Sequence, residues 1–144
     1  MQKTWEVWNS LLGKTTDSMT EVERHVNRVN IFACDFENGS WLYDIAPGAG
    51  EGPAWTALRE LAISVAAIGV LTVAGHLVKI AEILEQTDVQ IPGTWADYLA
   101  VADPKKRVAA LYELISDELP EVWGKLEEFT LAHFECEGYS PGNG

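Results

Sequence analysis

Four residues of this chain could between them supply a zinc ion's ligands: the pair His133-x-x-Cys136 at helical spacing, with His25 and Cys34 elsewhere to complete a set. Zinc sites usually draw on two close pairs, and only one is present, so packing explains these side chains better than metal. Leu12-Gly13-Lys14-Thr15 carries the GKT end of a phosphate loop, but Trp8 stands where the cradle's first glycine belongs. The glycines at 48, 50 and 52 follow no βαβ unit, and Pro53 occupies the third-glycine position of a dinucleotide fingerprint. His76 lies in an apolar run with no nucleophile or carboxylate beside it in a recognised motif, which suits a core or helix-interface histidine. With no nucleophile, cofactor cradle or acid/base pair to name, the expectation is a non-enzymatic protein without cofactor or metal.

The remaining chemistry is acidic. The chain has 22 acids against 10 bases, a formal net charge of -12. Such a field repels nucleic acid and anionic membrane and attracts basic surfaces. The charge is grouped: Glu113, Asp117, Glu118, Glu121, Glu127, Glu128, Glu135 and Glu137 face the single Lys125 between Leu111 and Glu137. Asp117, Glu121 and Glu128 fall at steps of four and seven, which on a helix aligns carboxylates along one side, the nearer pair about 6 Å apart. That spacing is comparable with the phosphates of one DNA strand. Two further base-free runs hold Asp35, Glu37, Asp44 and Glu51, and then Glu82, Glu85, Asp88, Asp97 and Asp103. Like charges so placed repel, and a solvated polar face is the plain alternative to a binding face.

Helices must position these groups. Trp5, Trp8, Leu11 and Leu12 recur at helical spacing before Gly13, marking a first helix from Thr4 to Leu12. Thr20-x-x-Glu23 is a capping box opening a second helix, with Val22, Val26, Val29, Ala33 and Phe36 on one stripe and Asn38-Gly39 as the stop. In DFENGSWLYD, residues 35–44, Trp41 and Tyr43 are expected to dock into the core and hold Asp35, Glu37 and Asp44 in place beside them. A Gly/Pro-rich loop reaches to Gly52, and Pro53 suits the first position of a helical region running to Gln86. Within it lie 18 residues without formal charge, from Leu61 to Val78. Gly69, Gly75, Ser64, Thr72 and His76 interrupt this run and no Lys/Arg cluster flanks it, so a buried helix, or two helices broken near Gly69 or Gly75, is expected in place of a membrane span.

Residues 88–94 read as a loop, and Thr94 as the cap of a short helix to about Ala102. Asp103-Pro104 then opens a helix carrying Val108, Leu111, Tyr112 and Ile115, and Leu119-Pro120 starts a last one with Val122, Trp123, Leu126, Phe129 and His133. The sum is an all-α, single-domain bundle of about six helices over residues 1–137, with residues 138–144 as a flexible tail. At 144 residues one core is the default. The two cysteines, Cys34 and Cys136, read as free, packed thiols, and MQKTWEVWNSLL lacks the basic-then-apolar layout of a secretory signal, so the cytoplasm is the expected compartment.

A helix ending in Glu37-Asn38-Gly39 before Trp41, the Ala57-Leu58 helix, Arg107-x-x-Ala-Leu-Tyr-Glu-Leu114 and a final helix ending His133-Phe134-Glu135 together resemble the DNA-mimic protein family, a domain-of-unknown-function group named for a bacterial double-stranded-DNA mimic. The resemblance spans roughly Thr20 to Phe134. Ser40 replaces the second glycine of the family's Asn-Gly-Gly-aromatic element, and the glycine after Ala57-Leu58 is displaced. It implies an acidic helical protein, often dimeric, that occupies the DNA-binding surface of a regulator.

The expected function is therefore an acidic DNA mimic that blocks a basic nucleic-acid-binding protein or complex, either a transcription regulator or the target of an anti-CRISPR or other anti-defence inhibitor. Its expected binding residues are Asp35, Glu37, Asp44, Glu113, Asp117, Glu118, Glu121, Glu127, Glu128, Glu135 and Glu137. It would touch neither nucleic acid nor membrane directly, and would act as a monomer or homodimer. The alternative is an immunity protein that neutralises a cognate toxin through aromatic anchors such as Trp41, Tyr43, Trp95 or Trp123. A small hydrolase or metal enzyme comes third, and would need His and carboxylate side chains clustered in a pocket.

Overall fold

A computed structural model describes residues 1–38, 54–86 and 102–138. Gly39, Trp41, Tyr43, Asp44, Pro53, the 88–94 loop, the Thr94 cap with Trp95 and the tail from residue 139 all lie outside the described residues. The described chain is all-α: α1 (Thr4–Leu12), a 3-10 turn (Thr16–Ser18), α2 (Glu21–Glu37), α3 (Ala54–Ala67), α4 (Leu71–Gln86) and α5 (Ala102–His133).

α2 starts where its capping box predicts. The Thr20 hydroxyl accepts from the Glu23 N–H at 3.1 Å, and the Glu23 carboxylate accepts from the Thr20 N–H at 2.9 Å. Two orphan donors of the first turn are thereby satisfied. Lys14 adds an ion pair to Glu23 at 2.8 Å, and together these contacts hold the Glu23 carboxyl below its ordinary pKa. Val26, Val29, Ala33 and Phe36 of the expected stripe are buried, joined by Phe32, while Val22 is half-buried.

The long apolar region is two helices, broken at Gly69 and not at Gly75. Gly69 has φ +100°, a conformation that side-chain-bearing residues rarely adopt. Its N–H donates to Ala66 O at 3.0 Å and that of Val70 to Val65 O at 3.2 Å, the two bonds of a Schellman stop, closed by the buried pair Val65 and Val70. α3 and α4 thus form a hairpin and make the most extensive interhelical contact of the fold. None of the described helices is long and apolar enough to cross a membrane.

α5 corrects one expectation. Leu119-Pro120 does not begin a helix, since α5 runs unbroken from Ala102 to His133 with Pro120 inside it, and Asp103 and Pro104 fall within its first turn. Proline removes the N–H that would bond Ser116 O, a cost of about 3 kcal/mol in a helix interior. Ser116 and Pro120 are both exposed, leaving that carbonyl to water, while Ile115, Leu119, Val122 and Leu126 are buried along the other side and hold the helix through the break.

The core is built from all five described helices: Leu11 of α1, Val26 and Val29 of α2, Leu58 and Val65 of α3, Leu77, Ile80 and Leu84 of α4, and Ile115 and Leu126 of α5 are all almost wholly buried. Phe36 stacks on Tyr112 with ring centroids 4.3 Å apart, tying α2 to α5. The segments flanking α1 and α5 clasp each other: Thr4 N–H donates to Glu137 O at 3.0 Å, Glu137 N–H to Gln2 O at 2.8 Å, and Lys3 pairs with the Glu137 carboxylate at 3.0 Å.

Candidate functional site: an acidic helix face and a tryptophan cleft

The expected binding acids divide among different surroundings. Glu113, Asp117, Glu121 and Glu128 are all exposed on α5. At 100° per residue they share one side of the helix, spread over about 22 Å at 1.5 Å per residue. Among the described residues Glu113, Asp117 and Glu121 form no ion pair, while Glu128 pairs with Lys125 at 3.2 Å. Glu118 turns inward from this row, and its carboxylate lies 3.6 Å from His76 Nε2 across the α4–α5 contact. His76 is therefore a helix-interface residue. Glu127 turns the other way, to within 3.4 Å of the Thr4 hydroxyl, which donates to it. Glu135 is exposed beyond the end of α5, and Glu137 belongs to the clasp with Lys3. Asp35 and Glu37 sit in the last turn of α2, and Glu37 accepts from the Trp123 indole N–H at 2.5 Å.

Beside the acidic row α1 crosses α5 and leaves a cleft of about 520 Å³, lined by Thr4, Trp5, Trp8, Trp123, Gly124 and Glu127. The size is that of an ordinary small-ligand pocket. Of the four residues whose spacing marks α1, Leu11 is buried and Trp8 half-buried, with Thr4 and Val7 also turned inward, while Trp5 and Leu12 are exposed. Trp8 and Trp123 lie 5.7 Å apart at 34°. Both of their N–H groups are engaged, Trp8 donating to the Thr130 hydroxyl at 2.9 Å and Trp123 to Glu37. Thr130 is fully buried and donates in turn to Leu126 O at 2.7 Å. Gly124 forms part of the floor, and a Cβ there would stand in open space.

One constellation brings a serine, a histidine and a carboxylate together, with the serine buried. His25 Nδ1 lies 2.9 Å from Ser64 Oγ, Arg28 donates to the same oxygen at 3.4 Å, and Glu21 lies 3.7 Å from His25 Nε2. Ser64 is fully buried in the middle of α3, and the cluster joins α2 to α3. No group of three or more His, Cys, Asp or Glu side chains among the described residues is placed to hold a metal. The helix ends at His133, so Cys136 is not on its face; the His133 ring packs on Phe129 instead, at 4.3 Å.

Neither described cysteine is in a disulfide. Cys34 is exposed, contrary to the packed position expected of it, whereas Cys136 is half-buried against the core. Burial, then Glu37 and Asp35, push the Cys34 thiol pKa up; burial and Glu127 do the same for Cys136.

Fold and site together define an all-α, strongly acidic protein with an exposed carboxylate row beside a tryptophan cleft. No family model matches the chain, and neither a curated protein nor a solved structure was found to match it.

Proposed function

We propose that this protein is a non-enzymatic DNA mimic, whose α5 carboxylates occupy the nucleic-acid-binding surface of a basic protein, in a regulatory or an anti-defence setting such as inhibition of a CRISPR complex. The observation that carries the reading is the row Glu113, Asp117, Glu121 and Glu128, exposed along one side of a single helix with only the last in an ion pair among the described residues. A rigid helix presents charge at fixed intervals, as a phosphate backbone does, and Pro120 leaves that helix continuous.

The test begins with the basic protein recovered from host extract at low salt, followed by titration of the purified pair. Affinity is expected to fall about tenfold or more between about 50 and 200 mM salt, and duplex DNA should compete for the same surface. Affinity indifferent to both salt and DNA would overturn the reading. The tryptophan cleft favours a second reading, an immunity protein that neutralises a toxin through aromatic anchors. In a mimic, affinity declines gradually as acids of the row are neutralised; under the second reading one tryptophan substitution abolishes binding and the row hardly matters.

A further inference from the structure

We infer that the cleft between α1 and α5 binds a small quaternary ammonium compound of the choline type, a ligand site separate from the acidic row. The inference stands apart from the partner proposed for that row, because it uses the indoles of the cleft and none of the row's carboxylates.

Three indoles, Trp5, Trp8 and Trp123, dominate the lining. Polar groups around them are already engaged. The Trp8 N–H donates to Thr130 and the Trp123 N–H to Glu37, and the Thr4 hydroxyl donates to Glu127. Glu127 makes a further interaction and lies against Gly138, so no bond to the ligand is asked of it. What Trp8 and Trp123 offer is therefore ring surface, and their centroids, 5.7 Å apart, allow one cation to lie within about 6 Å of both. Gly124 leaves open space where a side chain would stand on the floor.

A cation that carries N–H groups would shed water on entering such a cleft and find few acceptors in exchange, which leaves its desolvation uncompensated. A quaternary ammonium has no N–H to satisfy. Its methyl groups spread the charge over an apolar surface, and the quadrupole of an indole face attracts it. The charge balance excludes the opposite sign. Lys3 and Lys125, the bases nearest in sequence to the lining residues, are paired with Glu137 and Glu128, and the whole chain carries -12. A phosphate attached to the ammonium would meet that field as well, which favours choline over its phosphorylated form. At about 520 Å³ the cleft has room for a trimethylammonium group and its short chain.

The test titrates the intact protein, at constant ionic strength, with choline and three analogues. The neutral tert-butyl analogue, with carbon in place of the nitrogen, keeps the shape and drops the charge; ethanolamine keeps the charge on a primary ammonium; phosphocholine adds the anion. The readout is the set of indole N–H signals in NMR spectra. Choline is expected to bind saturably, to shift the Trp8 and Trp123 signals, and to bind about tenfold more tightly than each analogue. Trp5→Ala should weaken choline binding about fivefold, and Gly124→Leu, which fills the floor, about tenfold or more, both at unchanged helical content. Trp5 is exposed, and leucine in place of a helical glycine with open space beside it favours the helix, so neither change opens the core. Asp117→Asn with Glu121→Gln should leave choline affinity within about twofold, because these acids lie outside the cleft. Any analogue that matches choline overturns the inference. So does undiminished binding in both cleft variants, or a loss in the Asp117/Glu121 variant equal to theirs.

Discussion

Trp8 does two things with one side chain. Its ring walls the cleft, while its N–H reaches across to Thr130, whose own hydroxyl closes on Leu126 O within α5. Trp8→Phe keeps most of the ring and deletes the donor, leaving a buried hydroxyl with one partner fewer. A loss of about 1–2 kcal/mol is expected, read as a lower denaturant midpoint at unchanged slope. A second residue-scale consequence concerns Cys34. The thiolate is the reactive form, and burial with Glu37 and Asp35 nearby raises the pKa, so at pH 8 alkylation of Cys34 by iodoacetamide should be slower than that of a free thiol, despite its exposure. Glu37→Gln should speed it, and an unchanged rate would leave burial and Asp35 as the causes. The bond from Trp8 to Thr130 was not open to sequence reading, whereas Cys34, Asp35 and Glu37 are neighbours on one helix. Trp8 and Thr130 meet only because α1 lies on α5, far away in the chain. The inward turn of Glu118 was closer to legible, since it lies three residues on from Ile115 and four before Val122, both core positions. Glu127 follows Leu126 and carried no comparable signal until α1 was placed. Gly124 beside Trp123 was the clearest hint of a cleft, because a glycine inside a helix costs about 1 kcal/mol relative to alanine unless room is wanted.

The elements that were legible are those with local grammar. Thr20 and Glu23 announce α2 by a reciprocal cap that needs no tertiary partner, and Gly13 ends α1 where it was expected. The 61–78 run was ambiguous because Gly69 and Gly75 carry the same information in sequence and opposite roles in the fold. Gly69 is the αα turn, with φ +100°; Gly75 lies inside α4 with nothing near its missing Cβ. The two substitutions therefore have opposite signs. Gly69→Ala should destabilise by about 1–2 kcal/mol through backbone strain, and Gly75→Ala should stabilise by about 0.5–1 kcal/mol through helix propensity, both read by thermal melts. Equal signs would mean that the turn is not held by Gly69. Pro120 shows the converse limit. Its breaking tendency is local and real, but Ile115, Leu119, Val122 and Leu126 are packed on both sides of it, and burial over two turns outweighs one missing hydrogen bond. A rule about one residue could not weigh that sum.

At the scale of the whole molecule the excess of acid sets two salt dependences of opposite sign. The ion pairs among the described residues, Lys3 with Glu137, Lys14 with Glu23, Arg59 with Glu85 and Lys125 with Glu128, occupy four of the ten bases. Partly exposed pairs of this kind contribute little each, whereas the surplus carboxylates repel one another across the surface. Added salt shortens the reach of that repulsion to about 10 Å at 0.1 M, so the free chain should become more stable. A gain of about 1 kcal/mol between about 10 and 200 mM sodium chloride would raise the melting temperature by roughly 3–5 °C. Over the same range binding to a basic partner should weaken, because the field that strains the free protein is the one that draws the partner in. Melting temperature and affinity measured along one salt series would therefore move apart. If the melting temperature fell with salt instead, the four pairs would outweigh the repulsion, and the carboxylate row would carry no stored cost for a partner to relieve.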